Sequence, residues 1–223
     1  QNKKNKKLES ELKKLYNTKP MSFDIDISNQ DSVRDLTSTV MKKYKKIDVL
    51  INNATTNPKS HPNYSANFES YPLDLWQQYL DVNLTGLFLC TQEIGTIMAK
   101  QNNGVVVNIS SIYGNVGADQ RIYGKKNMST PVSYASTKGA VLNFTRYVAA
   151  YWQKKNIRVN TLSLGGVFNN QDKDFVKSYS NKTMLGRMAR NDEYIGALLF
   201  LISDASSYVT GTNLIVDGGW TAW

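Results

Sequence analysis

The sequence predicts an α/β fold, a parallel sheet covered by helices on both faces in three layers, and three observations carry that expectation. Short apolar or β-branched runs alternate with amphipathic helical stretches along the chain, which is the pattern of repeated strand and helix units. The run Ile47, Asp48, Val49, Leu50, Ile51 is nearly continuous in apolar character, as in a parallel strand buried on both sides. Asp26, the pair Asn52 and Asn53, the pair Ser110 and Ser111, and the pair Gly165 and Gly166 each follow a predicted strand. Ligands of open parallel sheets bind beyond the carboxyl ends of the strands, so these clusters are expected to meet along one edge.

Taken in order, Leu8, Leu12 and Leu15 recur at helical spacing among Lys and Glu, and residues 3–16 read as an amphipathic surface helix limited by Pro20. Residues 21–27 alternate enough to predict a short strand ending at Asp26 and Ile27. Ser28 or Asn29 is placed to cap a helix over 31–44, with Val33, Leu36 and Val40 on one side. The strand 47–51 follows, then a stretch over 55–71 rich in Asn, Pro and Ser, expected as a surface loop with His61 exposed in it. Residues 73–98 carry helical pattern in two pieces around Asn83, Leu84, Thr85 and Gly86. Further strands are expected over 105–109, 157–162 and 213–216, and further helices over 132–150 and 192–201. Residues 114–131 read as irregular, and 169–182 as a polar helix or lid.

The 223 residues suffice for one domain with its own core, and 41% hydrophobic with 20% charged residues describes a globular chain. The longest apolar run, 197–202, is too short to span a bilayer, and the Lys-rich beginning lacks the apolar stretch of a secretory signal. A cytoplasmic protein is therefore expected. One cysteine, Cys90, and one histidine, His61, exclude an internal disulfide and argue against a metal site. The net charge of +9 is concentrated in Lys3, Lys4, Lys6, Lys7, Lys13 and Lys14 and in Lys42, Lys43, Lys45 and Lys46. Solvated helix faces explain those runs better than a nucleic-acid footprint, for which aromatic-interleaved basic strands and zinc-finger spacing are missing. A negatively charged substrate or cofactor is compatible with them.

The chemistry centres on Tyr134, Ala135, Ser136, Thr137 and Lys138. On a helix Tyr134 and Lys138 share one face, four residues apart. A tyrosine titrates near ~10 in water, and a nearby ammonium favours the phenolate, so the pair is expected to move a proton, with Lys138 lowering the pKa of Tyr134. A solvated lysine beside a half-buried tyrosine is the bland alternative.

Several motifs in order resemble the short-chain dehydrogenase/reductase family: Asp26 with Ile27; Asn52, Asn53, Ala54; Asn83; Ser111; Tyr134 with Lys138; Arg158, Val159, Asn160; Gly165, Gly166, Val167; and Val216, Asp217, Gly218, Gly219. The resemblance implies a doubly wound, Rossmann-like sheet and an oxidoreductase using NAD or NADP. It implies catalytic roles for Asn83, Ser111, Tyr134 and Lys138. Tyr134 would be the acid/base, Lys138 would also hold the cofactor ribose, Ser111 would hydrogen-bond the reacting oxygen, and Asn83 would hold a relay water. Cofactor contacts are implied for Asp26, Ile27, Asn53, Ala54, Tyr134, Lys138, Gly165 and Val167. For Asp26 and Asn83 a capping or turn role is the alternative, and Gly165 and Gly166 can equally form a plain turn.

The chain departs from the family at several points. Thr55 and Leu164 stand where the family usually has Gly and Pro. The 23-residue step from Ser111 to Tyr134 is about ten longer than usual, which implies an inserted loop near 118–129. Its Asp119, Arg121, Tyr123, Lys125 and Lys126 are candidates for recognising a polar or phosphorylated substrate, against a merely solvated excursion. Nothing matches the family's opening strand, its T-G-x-x-x-G-x-G turn and its second strand, so the sheet is expected without its first strands and the chain as one domain lacking that portion. Within the family, 52–58, 165–172 and 185–190 resemble flagellin-modification oxidoreductases, which implies a sugar, sugar phosphate or sugar nucleotide as substrate, with Arg187 and Arg190 suited to a phosphate. A homodimer or homotetramer is implied, with Trp220 and Trp223 placed for a subunit contact or for closing the substrate cleft. A catalytically silent member that binds a nucleotide or a partner is the alternative function.

Overall fold

Four strands carry the site: β1 (Val49–Asn52), β2 (Gly104–Ser111), β3 (Ile157–Leu164) and β4 (Asn213–Val216), all parallel and hydrogen-bonded in that order. The computed structural model describes residues 3–124 and 129–223. Register pairs Asn52 with Asn108, Ser111 with Leu164, and Leu164 with Val216, so the carboxyl ends share one edge. Side chains of a strand alternate between faces. Val106 and Val159 therefore join Ile94, Met98, Val148 and Trp152 of helices α4 (Leu87–Gln101) and α5 (Val132–Tyr151) on one face, with Trp152 just past the end of α5. On the other face Val107, Ile109 and Leu162 pack against Leu201 of α7 (Ile195–Ile202). Helices on both sides of a parallel sheet make the three-layer, Rossmann-like arrangement the sequence predicts.

Polar residues tie this sheet together below its functional edge. The Asn52 amide donates to the Thr91 hydroxyl at 2.9 Å and to the Asn108 side-chain oxygen at 2.8 Å. Asn108 donates on to Thr145 at 2.9 Å, and Thr161 reaches the same hydroxyl at 2.7 Å. Buried polar groups cost free energy unless paired, and here each finds a partner on a neighbouring element, which fixes β1, β2, β3 and α5 in register.

Helices α1 (Lys3–Tyr16) and α2 (Gln30–Tyr44) precede β1. The cap of α2 is Asn29, whose side chain accepts the Ser32 N–H at 3.0 Å. Leu8 and Leu15 of α1 stay exposed, so the apolar stripe read from the sequence is not buried. The strand expected over 21–27 does not form. Backbone pairing needs a neighbouring strand, and no described strand lies alongside this segment. Ile25 and Ile27 instead pack against Val33, Leu89 and Cys90. The alternation here accompanies packing of Ile25 and Ile27 and not strand pairing.

The two helical pieces over 73–98 are one continuous rod. Helix α3 (Leu73–Leu80) passes through a π-helical turn, Asp81–Gly86, into α4. Such turns insert a residue and frequently mark functional positions; this one carries Asn83. His61 is not an exposed loop residue. Its ring is only 10% exposed, lies 3.2 Å from the Asp74 carboxylate and accepts the Asn63 N–H at 3.1 Å. The polar stretch over 169–182 forms α6 (Lys173–Ser180), capped by Asp172.

Candidate active site

Two elements set the centre of the site. Strand β2 ends at Ser111, whose hydroxyl oxygen accepts the Tyr113 N–H at 3.2 Å as the chain turns into a short 3-10 segment, Ile112–Gly114. Helix α5 carries Tyr134 and Lys138 on successive turns of one face. Tyr134 and Ser111 line the same cleft, and the Ser111 side chain lowers the pKa of the Tyr134 phenol. The Lys138 ammonium lies 5.7 Å from the Tyr134 ring centre and donates to the Ile109 carbonyl at 2.9 Å.

The electrostatics differ from the sequence expectation. Burial pushes the Tyr134 phenol up, the Ser111 hydrogen bond opposes that shift, and Lys138 is not among its influences. Lys138 itself is buried and pushed down to about 8 by loss of solvation. Desolvation disfavours the charged form of both groups. The pair is adjacent as expected, but burial shifts Tyr134 away from the phenolate rather than towards it.

Asn53, Ser111, Tyr134, Lys138, Gly165 and Val167 line one cleft of about 490 Å³ at the carboxyl edge of the sheet. Asp26, Ile27, Ala54 and Asn83 do not line it. Asp26 is exposed and accepts the N–H and hydroxyl of Ser28 at 2.9 and 2.6 Å, bonds that lower its pKa; it makes the turn that its alternative reading described. Ile27 serves the small core against α2 and α4, and Ala54 is exposed. Asn83 is buried and acts as a cross-brace. Its oxygen accepts the Thr55 hydroxyl at 3.0 Å and the Thr56 N–H at 2.8 Å, and its amide donates to Thr137 on α5 at 3.3 Å.

The cleft fits the nicotinamide half of a dinucleotide. In the bridge between Val167 and Ala189 the bonds run from Phe168 N–H to Ala189 C=O and from Ala189 N–H to Gly166 C=O. The Val167 N–H therefore faces away from that bridge, unpaired among the described residues, as a donor for a carboxamide. Lys138 keeps two of its three N–H donors after serving Ile109, which suits a ribose. The described residues contain no glycine-rich turn for a pyrophosphate at this edge.

Beside Tyr134 opens a second hollow that sequence reading missed, walled by Tyr64, Tyr79, Tyr113 and Tyr123 with Asn57 and Lys59. Tyr64 and Tyr79 both reach the Asn57 side-chain oxygen, at 2.7 and 3.3 Å. The signal available was a loop over 55–71 that contains Asn57, Lys59 and Tyr64 in a chain with 13 tyrosines; alone it did not show which rings would face inward. No described carboxylate pairs with Lys59. Arg187 and Arg190, by contrast, are committed: Arg187 makes a two-pronged ion pair with Glu193 at 2.6 Å, and Arg190 lies 3.3 Å from Asp192. The inserted loop is no solvated excursion either. Ile122 is buried with Tyr179 and Trp220, Tyr123 stacks on Phe175, and Asp119 pairs with Arg121 and Lys182. Lys125 and Lys126 lie outside the described residues. Trp220 is buried against Tyr113 and Tyr179, while the exposed Trp223 donates to the Lys182 carbonyl at 3.1 Å.

A parallel sheet that gathers a serine, a tyrosine and a lysine around a nicotinamide-sized cleft defines a nicotinamide-dependent oxidoreductase. A family model described as enoyl-(acyl carrier protein) reductase matches residues 1–221. The post-translational flagellin modification protein A of Campylobacter coli is 30% identical over 216 residues, spanning 96% of this chain and 82% of that protein. A short-chain dehydrogenase from Leptospira borgpetersenii with bound NAD+ matches with a TM-score of 0.79 at 35% identity, over 89% of this chain and 74% of that one. A gluconate 5-dehydrogenase from Burkholderia cenocepacia, in complex with NADP and tartrate, matches with a TM-score of 0.78 at 29% identity over the same shares. The chain belongs to the short-chain dehydrogenase/reductase family and is an NAD(P)-dependent enzyme. No helix among the described residues is long and apolar enough to cross a membrane.

Proposed function

We propose that this enzyme interconverts a hydroxyl and a carbonyl on a polar, polyhydroxylated substrate of the sugar class, including sugar phosphates and sugar nucleotides. The observation that carries the reading is the hollow beside Tyr134, where tyrosines and Asn57 surround the space and Lys59 is the one charged group in its wall among the described residues. Aromatic faces suit a sugar ring, phenols and an amide suit its hydroxyls, and an unpaired ammonium suits a phosphate or carboxylate. The name of the Burkholderia protein, a gluconate 5-dehydrogenase, points the same way.

A bound nicotinamide supplies or accepts the hydride. In the reducing direction Tyr134, whose neutral phenol burial favours, gives its phenolic proton to the substrate oxygen while Ser111 donates a hydrogen bond to that oxygen. Lys138, Asn53, Gly165 and Val167 border the cofactor, with Asp26, Ile27 and Ala54 as its adenosine-side contacts. Asn83 holds the Thr55–Thr56 segment against α5 and so sets the depth at which Tyr134 meets substrate. Exposed Phe88 on α4 and Tyr147 and Tyr151 on α5 form an apolar face that suits pairing of two copies as a homodimer or within a homotetramer, in the cytoplasm.

The test is hydride transfer with NADH and NADPH against a panel of neutral sugars, sugar phosphates, sugar nucleotides, cyclic alcohols and acyl thioesters. Turnover of sugar phosphates or nucleotides, with KM raised by Lys59→Met for anionic members only, supports the reading. Turnover confined to cyclic alcohols or acyl thioesters overturns it.

A further inference from the structure

The Gly165–Gly166 peptide borders the cofactor cleft, and both of its polar atoms are held by tyrosine side chains from different elements. Tyr194, at the start of α7, donates its hydroxyl to the Gly165 carbonyl at 2.8 Å. Tyr179, on α6, accepts the Gly166 N–H at 2.5 Å. The remaining groups of the two glycines are bonded to backbone: the Gly165 N–H to Val216 at 2.9 Å and the Gly166 carbonyl to Ala189 at 3.0 Å. Every hydrogen-bonding group of this dipeptide is therefore used, two of the four by phenols that are themselves buried, 3% and 9% exposed.

Glycine is required for this arrangement. A Cβ on Gly166 would stand 2.8 Å from the Tyr179 ring and 3.0 Å from its oxygen, and one on Gly165 would stand 2.8 Å from the Asp217 backbone. The phenols reach the peptide because nothing else occupies the space. Rotation of that peptide would swing the next residue, Val167, whose N–H is the free donor at the cleft.

We propose that Tyr179 and Tyr194 are positioning residues of the cofactor site, which together fix the plane of the Gly165–Gly166 peptide and thereby the direction of the Val167 N–H. One jaw of this clamp is rigid, because α7 is anchored in the core through Leu201. The other, Tyr179, is packed against the inserted loop through Ile122. Tyr123 stacks on Phe175 at 5.3 Å, Phe175 lies 5.9 Å from Tyr179, and Asp119 pairs with Lys182 just beyond α6. Tyr123 also walls the substrate hollow. The insertion thus links substrate contact to cofactor posture through α6. The clamp holds whichever substrate class the enzyme takes.

The experiment compares Tyr179→Phe, Tyr194→Phe and the control Tyr208→Phe, the last at a fully exposed position. Each variant removes one hydroxyl and keeps the ring. Amide hydrogen exchange of the peptide spanning 163–168 is read in the cofactor-free protein, and NADH and NADPH affinity is read by nucleotide fluorescence. We expect faster exchange in that peptide for Tyr179→Phe, where the Gly166 N–H loses its acceptor. A buried group left without its partner is strongly disfavoured, and cofactor affinity should fall by roughly tenfold in both clamp variants. Unchanged affinity in both clamp variants, a loss matched by Tyr208→Phe, unchanged exchange in Tyr179→Phe, or no cofactor binding by the parent chain each overturn the proposal.

Discussion

Replacing Lys138 by Met should make the protein more stable at neutral pH while disabling it. Burial lowers the Lys138 pKa from 10.5 to about 8. A lysine whose folded pKa lies below its unfolded value carries a penalty below the folded pKa, and the penalty is relieved as pH rises towards the unfolded one. Across that interval the difference corresponds to about 3 kcal/mol. Methionine removes the penalty and keeps the stem, but it leaves the Ile109 carbonyl, now bonded at 2.9 Å, without its donor, a loss of about 1 kcal/mol. The variant should therefore exceed the parent by about 2 kcal/mol at pH 7. That advantage should shrink through pH 8 to 10 and reverse to a deficit of about 1 kcal/mol near pH 10.5. Urea unfolding of both proteins across this range provides the assay, since all other titrating groups cancel in the difference. Parallel stability curves, or a variant less stable at pH 7, would refute the reasoning about a desolvated ammonium. Hydride transfer should be lost together with the lysine, a trade of stability for function.

Other substitutions test separate parts of the site. Tyr134→Phe removes only the proton-bearing hydroxyl and should lower hydride transfer by ~10²–10⁴-fold while cofactor affinity measured by fluorescence is kept. Asn83→Ala strips partners from Thr55, Thr56 and Thr137 at once; chemical denaturation should show a loss of about 2 kcal/mol, with KM for substrate rising as the Thr55–Thr56 segment loosens. Gly95→Ala should destabilise despite the better helix propensity of alanine. The new Cβ would fall 1.9 Å from Cη2 of Trp152, a buried ring, so overpacking of up to ~3 kcal/mol outweighs a propensity gain of about 1 kcal/mol; an unchanged melting temperature would show that the ring moves freely.

The residues that could be read from the sequence were those whose role is set by local pattern. The buried strands β2 and β3, the shared helix face of Tyr134 and Lys138, the position of Ser111 at a strand end and the glycine pair after β3 all follow from periodicity and order along the chain. Asn83 could be placed at a break between helical pieces, although a π-helical turn in one continuous rod is what the backbone adopts there. Residues 21–27 show the opposite case, since alternation reports which side chains are buried but a strand also needs a neighbour to bond.

The pattern along the chain determined the class of fold and the edge of the sheet at which Ser111, Tyr134 and Lys138 meet, because strand and helix periods are properties of neighbouring residues. Only the tertiary structure decided which way the pKa values of Tyr134 and Lys138 move, since desolvation depends on atoms brought from elsewhere, and it reversed the expected shift of Tyr134. It also decided which cations are free. Arg187 and Arg190 found carboxylates within a few residues, whereas Lys59 was left facing the tyrosine-lined hollow. The clamp on the Gly165–Gly166 peptide joins residues on α6 and α7 to a turn after β3, a meeting that no local spacing encodes because it depends on how separate elements pack.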